Sequence, residues 1–355
     1  MTINTFINKP DSEPSFLLNK LIDMIEDIPK GETLHIAFYY LRNIRMCNAL
    51  IQAKDRGVKI KILMSGNTYY KTGNVDSIKF LRNNGFNENV FRLRHTPNIM
   101  KRRMHLKLFL ASKCGSRKYI SLFGTYNPSG NDENEKDVFD VIGDQDNGYN
   151  VMMEIEEDKA IYDYLLKYFI TLFEKPEGRF MYPSKSFRDI SFYPSPSKNN
   201  RFLSYIKDLE QNVENIKNLR IRIAVSHISE RVTVKTLCKL AVMGHDIEII
   251  GHDTERRFPK KVEKRLKKHR VMVIRYIHPE GFPMHCKFIL SEYNDINGKS
   301  YYDLFLGSMN LTNKSYYRND ELLALFSNHT IFEDFSKLYE ELRANTLKYL
   351  DKTTV

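Results

Sequence analysis

Between residues 15 and 28, apolar side chains recur at helical spacing: Phe16, Leu17, Leu21, Ile22 and Ile25. A buried strand is expected from Leu34 to Leu41, then a helix from Met46 to Arg56 that Gly57 stops. Val58 to Met64 reads as the next strand, and Val75 to Asn84 as the next helix, closed by Gly85. Further strands are expected at Val90 to Leu93, His105 to Leu110, Tyr119 to Phe123 and Val151 to Ile155. Lys159 to Glu174 is a long amphipathic helix. Strands alternating with helices predict a mixed sheet sandwiched between helices.

The pattern breaks twice. Asn127 to Gly148 is polar and turn-rich and reads as an inserted surface loop or flap. Residues 175–200 are rich in Pro, Ser and Asn and read as a linker. After it the order restarts: helix Phe202 to Leu209, strand Ile221 to Val225, helix Arg231 to Met243, strand Asp246 to Ile250. Helix Lys260 to His269, strand Val271 to Tyr276, two more strands and helix Thr330 to Tyr349 complete it. The two halves align residue by residue. His35-Ile36-Ala37-Phe38-Tyr39 meets Arg222-Ile223-Ala224-Val225-Ser226, and without a gap Leu50 meets Leu237 and Gly57 meets Gly244. Self-similarity at this length is a duplicated domain rather than a short-period solenoid. The expected organisation is an N-terminal lobe over residues 1–175, a linker over 176–200 and a C-terminal lobe over 201–355.

A chain of 355 residues suits two cores. The net charge of +11 and pI near 9.2 point to a polyanionic partner, against the plainer reading of charge kept for solubility. Cys47, Cys114, Cys238 and Cys286 show no metal-ligand spacing and are expected to be reduced. No targeting segment and no apolar run of membrane-spanning length is legible, so a cytoplasmic location is expected.

The chemistry lies in a duplicated motif. Met104-His105-Leu106-Lys107 is followed by Gly124-Thr125-Tyr126-Asn127, and Met284-His285-Cys286-Lys287 by Gly307-Ser308-Met309-Asn310. On a strand, i and i+2 share a face, so His105 would emerge with Lys107 and His285 with Lys287, while Cys286 points the other way. A lone H-x-K is more often a packed histidine beside a lysine reaching for solvent. Duplication in step with G-[ST]-x-N favours a site. If the lobes meet face to face, a neutral imidazole can attack phosphorus and form a phosphohistidine. A protonated one can donate to the leaving oxygen, with lysine and asparagine around the phosphoryl oxygens. No metal and no cofactor is needed for that chemistry.

These motifs resemble the phospholipase D superfamily signature, H-x-K-x4-D followed by G-[GS]-x-[NS], over essentially the whole chain. The resemblance implies two duplicated α/β/α sandwich lobes with mixed sheets, related by a pseudo-twofold axis, with one active site between them. It implies His105 as nucleophile and His285 as general acid, with Lys107, Lys287, Asn127 and Asn310 holding phosphate and Glu321 orienting its histidine. Thr125 and Ser308 are the candidate hydroxyl contacts to the substrate. The signature Asp falls at Ser112 and at Glu292. Aligning Asn150 with Asn319 places Met152 opposite Glu321, with Glu154 as the substitute carboxylate.

Two basic runs bear on the substrate. Arg92, Arg94, His95, Lys101, Arg102 and Arg103 precede His105, with Arg102 and Arg103 the candidate substrate contacts. Arg256, Arg257, Lys260, Lys261, Lys264, Arg265, Lys267, Lys268 and Arg270 precede the second motif. Charge on both sides of a scissile bond suits a nucleic-acid backbone, against the alternative of a solvated basic helix. The expected activity is a metal-independent nuclease acting on DNA or RNA. A phospholipid hydrolase or phosphatidyltransferase at an anionic phospholipid surface is the second reading, and an inactive binding module the third. No obligate protein partner is evident.

Overall fold

The computed structural model describes residues 1–66, 68, 73–94, 103–129 and 148–353. The chain divides into two compact units, Met1–Phe180 and Met181–Val355.

The first unit is built on a seven-stranded sheet. Its strands are β1 (Thr2–Asn8), β2 (Thr33–Phe38), β3 (Lys59–Ser65), β4 (Phe91–Arg94), β5 (Lys107–Cys114), β6 (Arg117–Gly124) and β7 (Asn150–Glu156). Their order is β1-β7-β6-β5-β2-β3-β4. The β2-β3-β4 pairs are parallel and the rest antiparallel. Parallel neighbours need a crossover, and helices α2 (Ile44–Asp55) and α3 (Val75–Asn83) provide it. With α1 (Phe16–Glu26) they cover one face. There Leu21, Ile25, Leu50 and Leu81 pack on Ile36, Phe38, Ile62, Phe109 and Leu122. Helix α4 (Lys159–Glu174) covers the other face, burying Ile161, Leu165, Phe169 and Leu172. Both faces of the central strands are therefore dry, which explains their continuous rather than alternating apolar runs.

The second unit repeats the plan with β8 (Lys185–Phe187), β9 (Ile190–Ser195), β10 (Ile216–Val225), β11 (Asp246–His252), β12 (Met272–Tyr276), β13 (Lys287–Asp295), β14 (Ser300–Gly307) and β15 (Glu321–Phe326). The order is β12-β11-β10-β13-β14-β15-β9-β8. Helices α5 (Arg201–Gln211), α6 (Arg231–Val242) and α7 (Lys260–Lys268) share one core with the sheet. Helix α9 (His329–Thr353) packs against β12, β13 and β14, and a short helix, α8 (Asn313–Tyr317), lies between β14 and β15. Strand registers confirm the internal alignment. Phe38 pairs with Lys107 as Val225 pairs with Lys287, and Gly57 and Gly244 both take positive φ just after α2 and α6.

Three expectations change. Residues 185–195, read as linker, form the β8–β9 hairpin and complete the second sheet. Strand β1, which the apolar pattern does not announce, occupies the matching place beside β7. His105 and His285 lie just before β5 and β13 instead of within them, so only the lysines open the strands. The loop expected at 127–148 falls mostly outside the described residues.

Candidate active site

In the first unit, Lys107 opens β5 opposite Phe38, at the carboxyl end of β2, and only 1% of it is exposed. Ligand sites in open α/β sheets lie at such strand ends. An ammonium buried this far is costly without partners. Its Nζ turns back to donate to the His105 carbonyl at 2.8 Å and lies 5.5 Å from the Tyr39 ring centre. The half-buried His105 ring packs edge-on against the same tyrosine, 5.1 Å between centres. Tyr39 thus fixes both members of the motif from one position.

Asn127 and Thr125 come from the end of β6. Gly124 precedes them because a Cβ there would overlap the Val151 carbonyl oxygen of β7. Asn127 accepts the Tyr40 backbone N–H at its Oδ1, 3.3 Å, which leaves Nδ2 as the donor end of the amide. The next carbonyl, Pro128, accepts from Arg42 and Asn43 backbone N–H groups, and Asn43 caps α2 through Met46. Asn74, which belongs to neither motif and carries no sequence signal, adds a clamp: it donates to the Tyr39 and Ser65 carbonyls and accepts from Leu41. Thr125 is fully buried, donates to Asn150 Oδ1 at 3.0 Å and accepts from Val151 N at 2.9 Å.

The second unit reproduces this frame. Lys287, 3% exposed, donates to the His285 carbonyl at 2.6 Å. Asn310 accepts the His227 backbone N–H at 3.1 Å, and Leu311 accepts from Ser229 and Glu230, the latter capping α6 through Thr233. Gly307 again admits no Cβ, this time against the Leu322 carbonyl. Ser308 donates to Glu321 at 2.6 Å and accepts from Leu322 N at 3.1 Å. Glu321 is fully buried and also accepts from Asn319 at 3.1 Å.

The hydrogen bonds correct the alignment of the acidic position. Thr125 reaches Asn150 as Ser308 reaches Glu321, and Gly124 pairs with Met152 as Gly307 pairs with Leu323. The counterpart of Glu321 is therefore Asn150, not Met152. Glu154 is no substitute carboxylate, because its two oxygens accept from Arg117 and Asn4, each at 2.9 Å. The first motif thus has a neutral amide where the second has a carboxylate.

The signature-Asp positions serve the scaffold. Ser112 donates to Glu32 at 2.7 Å and accepts from Thr33 N at 2.8 Å, tying β5 to the start of β2. Glu292 pairs with Arg222 at 3.2 Å, tying β13 to β10. Cys286, just before β13, is fully buried, and burial pushes its thiol up to about 12. All four cysteines are buried free thiols.

The basic runs divide. Arg92, half-buried, donates to the Phe173 carbonyl at 3.0 Å and Arg94, 1% exposed, donates to the Gly178 carbonyl at 3.0 Å, so both are tied to the chain at the end of α4. Arg103 is half-buried just before the motif, while His95, Lys101 and Arg102 lie outside the described residues. In the second unit Arg257 is buried, but Lys260, Lys261, Lys264, Arg265, Lys267 and Lys268 leave α7 with an exposed basic face. Among the described residues no group of three or more His, Cys, Asp or Glu is arranged to hold a metal ion, and no helix is long and apolar enough to cross a membrane.

The family described as "cardiolipin synthase, PLD-like domain" matches residues 24–162 and 213–343, one match per unit. No curated protein sequence matches the chain. Among solved structures, phosphatidylserine synthase of Haemophilus influenzae Rd KW20 is similar, with 13% identity and a TM-score of 0.65 over 97% of this chain and 86% of that one. Polyphosphate kinase of Porphyromonas gingivalis matches with 13% identity and a TM-score of 0.58 over 96% of this chain. This chain spans about half, 50%, of that kinase.

Proposed function

We propose, from the premise that the chain belongs to the phospholipase D-like family whose domain it carries twice, that it cleaves a phosphodiester through a covalent phosphohistidine. The observation that carries the reading is the repeated frame itself. In each unit a buried lysine is held at the histidine carbonyl and a motif asparagine is held through its oxygen, so both present N–H donors. That is the equipment for stabilising charge on a phosphoryl group.

In the proposed sequence, an imidazole nitrogen of His105 attacks phosphorus. The leaving oxygen departs with a proton from the His285 imidazolium. His285 then takes a proton from water, whose oxygen attacks the phosphohistidine and frees His105. Lys107, Lys287, Asn127 and Asn310 hold the phosphoryl oxygens, and Glu321 holds the second motif through Ser308. These steps use side chains and water, without metal or cofactor.

The substrate we favour is nucleic acid, supported by the net charge of +11 and the exposed basic face of α7. A phospholipid is the second reading, supported by the matching family's description and by the likeness to phosphatidylserine synthase. The test is incubation with single-stranded DNA, duplex DNA, RNA and phosphatidylglycerol vesicles in EDTA, scoring each for cleavage. Cleavage of a nucleic acid is expected. Cleavage of the vesicles alone would move the assignment to lipid, and activity that requires an added divalent ion would overturn the mechanism.

A further inference from the structure

The two units differ at the residues that follow their first core strand. In the first, Tyr39 and Tyr40 occupy this bend, and Tyr39 covers the motif. In the second the same positions are Ser226 and His227, as the shared pairing of Phe38 with Lys107 and Val225 with Lys287 fixes. Ser226 has no ring with which to cover the motif. Its hydroxyl donates to the Met284 carbonyl at 3.1 Å, so the chain continues alongside residues 284 and 285 beyond the last strand pair.

His227 is held on both sides of its backbone. Its N–H donates to Asn310 Oδ1 at 3.1 Å and its carbonyl accepts from Leu311 at 3.0 Å. The next residue, Ile228, donates to the Arg257 carbonyl at 3.2 Å. The residue is half-buried, and among the described residues no side chain hydrogen-bonds to its ring. Lys287, His285, His252 and Arg257 are all near enough to act on its charge. His252 closes the neighbouring strand and is itself engaged by Thr254 and Asp253.

We propose that His227 is a further substrate-binding residue of the second motif: a third imidazole that hydrogen-bonds the phosphoryl group presented to Lys287 and Asn310. Three features converge on this. Its backbone is bonded to the motif asparagine, which fixes the point from which the side chain leaves the main chain. Its position beside His285 and Lys287 is one an anion would approach. Burial, and then the neighbouring Arg257 and Lys287, hold its imidazole well below the ordinary histidine value. It is therefore neutral at physiological pH, where a neutral imidazole offers one N–H donor and one acceptor nitrogen. It is a hydrogen-bonding group rather than another fixed charge.

This inference rests on the phosphodiesterase reading for its activity measurements, so an activity-independent measurement accompanies them. His227→Asn keeps a neutral donor and acceptor of similar reach, whereas His227→Phe keeps the ring and removes both. With bis(4-nitrophenyl) phosphate as substrate, His227→Phe is expected to lose about tenfold in kcat/KM, the scale of one lost hydrogen bond, and His227→Asn to recover most of it. The loss should fall mainly on KM. In parallel, titration of inorganic tungstate, a phosphate mimic, should shift the His227 ring signals in the NMR spectrum of the histidine-labelled full chain. His227→Phe should weaken tungstate binding by a similar factor, and its circular dichroism and melting profile should match the parent. Full activity and unchanged tungstate affinity in His227→Phe would overturn the inference. Tungstate binding that depends on His227 in a protein that cleaves no diester would sustain the inference and sink the phosphodiesterase reading. Absence of both binding and cleavage in the parent would sink both.

Discussion

The two motif histidines are proposed to differ in task, and the residues around the two motifs differ in charge. Glu321 is buried against Ser308 and Asn319, whereas its counterpart is the amide Asn150, bonded to Thr125. Were the Glu321 carboxylate to act on His285, it would favour an imidazolium there, which suits the proposed role of proton donor. His285→Ala should therefore still attack a nitrophenyl diester slowly, since that leaving group departs unprotonated, and should accumulate phosphate on His105. Mass spectrometry of the quenched protein locates the adduct, and an adduct on His285 in His105→Ala would reverse the roles. Glu321→Gln should cost about a hundredfold in kcat on an unactivated diester. A loss below threefold would show that the carboxylate only packs. His35, outside the motifs, gives a separate prediction. Burial, then Lys61, lowers its imidazole from 6.5 to about 4, and its Nδ1 is buried without a hydrogen-bond partner among the described residues. As the pH falls below 6.5, the unfolded chain takes up a proton that the folded chain refuses. Stability should thus decline between pH 6.5 and about 4 and level off below, by at most about 3 kcal/mol from this residue. Urea unfolding of wild type and His35→Leu at pH 7, 5.5 and 4.5 measures it. A difference between the two proteins that stays constant with pH would rule the linkage out.

At the scale of elements, buried central strands and amphipathic helices were legible because their apolar runs have nothing to compete with. The expected helix at Lys159 to Glu174 coincides with α4, and the strand at Asp246 to Ile250 lies within β11. The outer strands were not legible. In β1, Thr2, Asn4 and Asn8 interrupt any apolar rhythm, and its exposure runs from open at Thr2 to buried only at Asn8. In β9, Pro194 and Ser195 read as linker, yet β8 pairs only with Ile190 to Phe192, so Pro194 has a strand neighbour on one side alone. Proline is tolerated at such edge positions. The motif histidines lie just before their strands instead of on them, because two-residue periodicity cannot mark where pairing begins. The misaligned acidic position had no sequence signal at all, because α8 stands between Asn310 and Glu321 while a longer segment precedes Asn150, and only the hydrogen bonds of Thr125 and Ser308 fix the equivalence. If the β8–β9 hairpin is integral to the second unit, Phe192, fully buried, supports it as a core residue. Phe192→Ala should then cost about 3–5 kcal/mol in urea unfolding. A change under about 0.5 kcal/mol, usual for surface positions, would return the segment to the status of linker.

At the scale of the molecule, charge is what remains to separate a polymer substrate from a lipid. The excess of +11 is spread over 55 basic and 44 acidic residues, so net charge alone does not locate a binding surface. The structure removes Arg92 and Arg94 from the pool, since both are spent on carbonyls at the end of α4. It leaves α7, where Lys260, Lys261, Lys264, Arg265 and Lys268 are exposed, and where Glu263 is already engaged by Lys267 at 2.8 Å and Arg275 at 2.7 Å. On the proposed nucleic-acid reading such a helix face would contact phosphates without reading bases, so its contribution should appear as salt dependence. Each phosphate neutralised by a lysine or arginine releases condensed counterions, with a slope of about −0.7 per contact in log K against log salt for a single strand. Replacing those five residues by glutamine should weaken single-stranded DNA binding at low salt, flatten the slope by at least one contact, and leave kcat on bis(4-nitrophenyl) phosphate unchanged, because that small diester has no flanking phosphates. Fluorescence anisotropy with a labelled oligonucleotide between 50 and 300 mM salt, roughly the range over which screening changes most, provides the measurement. An unchanged slope would remove α7 from the nucleic-acid interface, and with it the main structural support for a polynucleotide over a phospholipid.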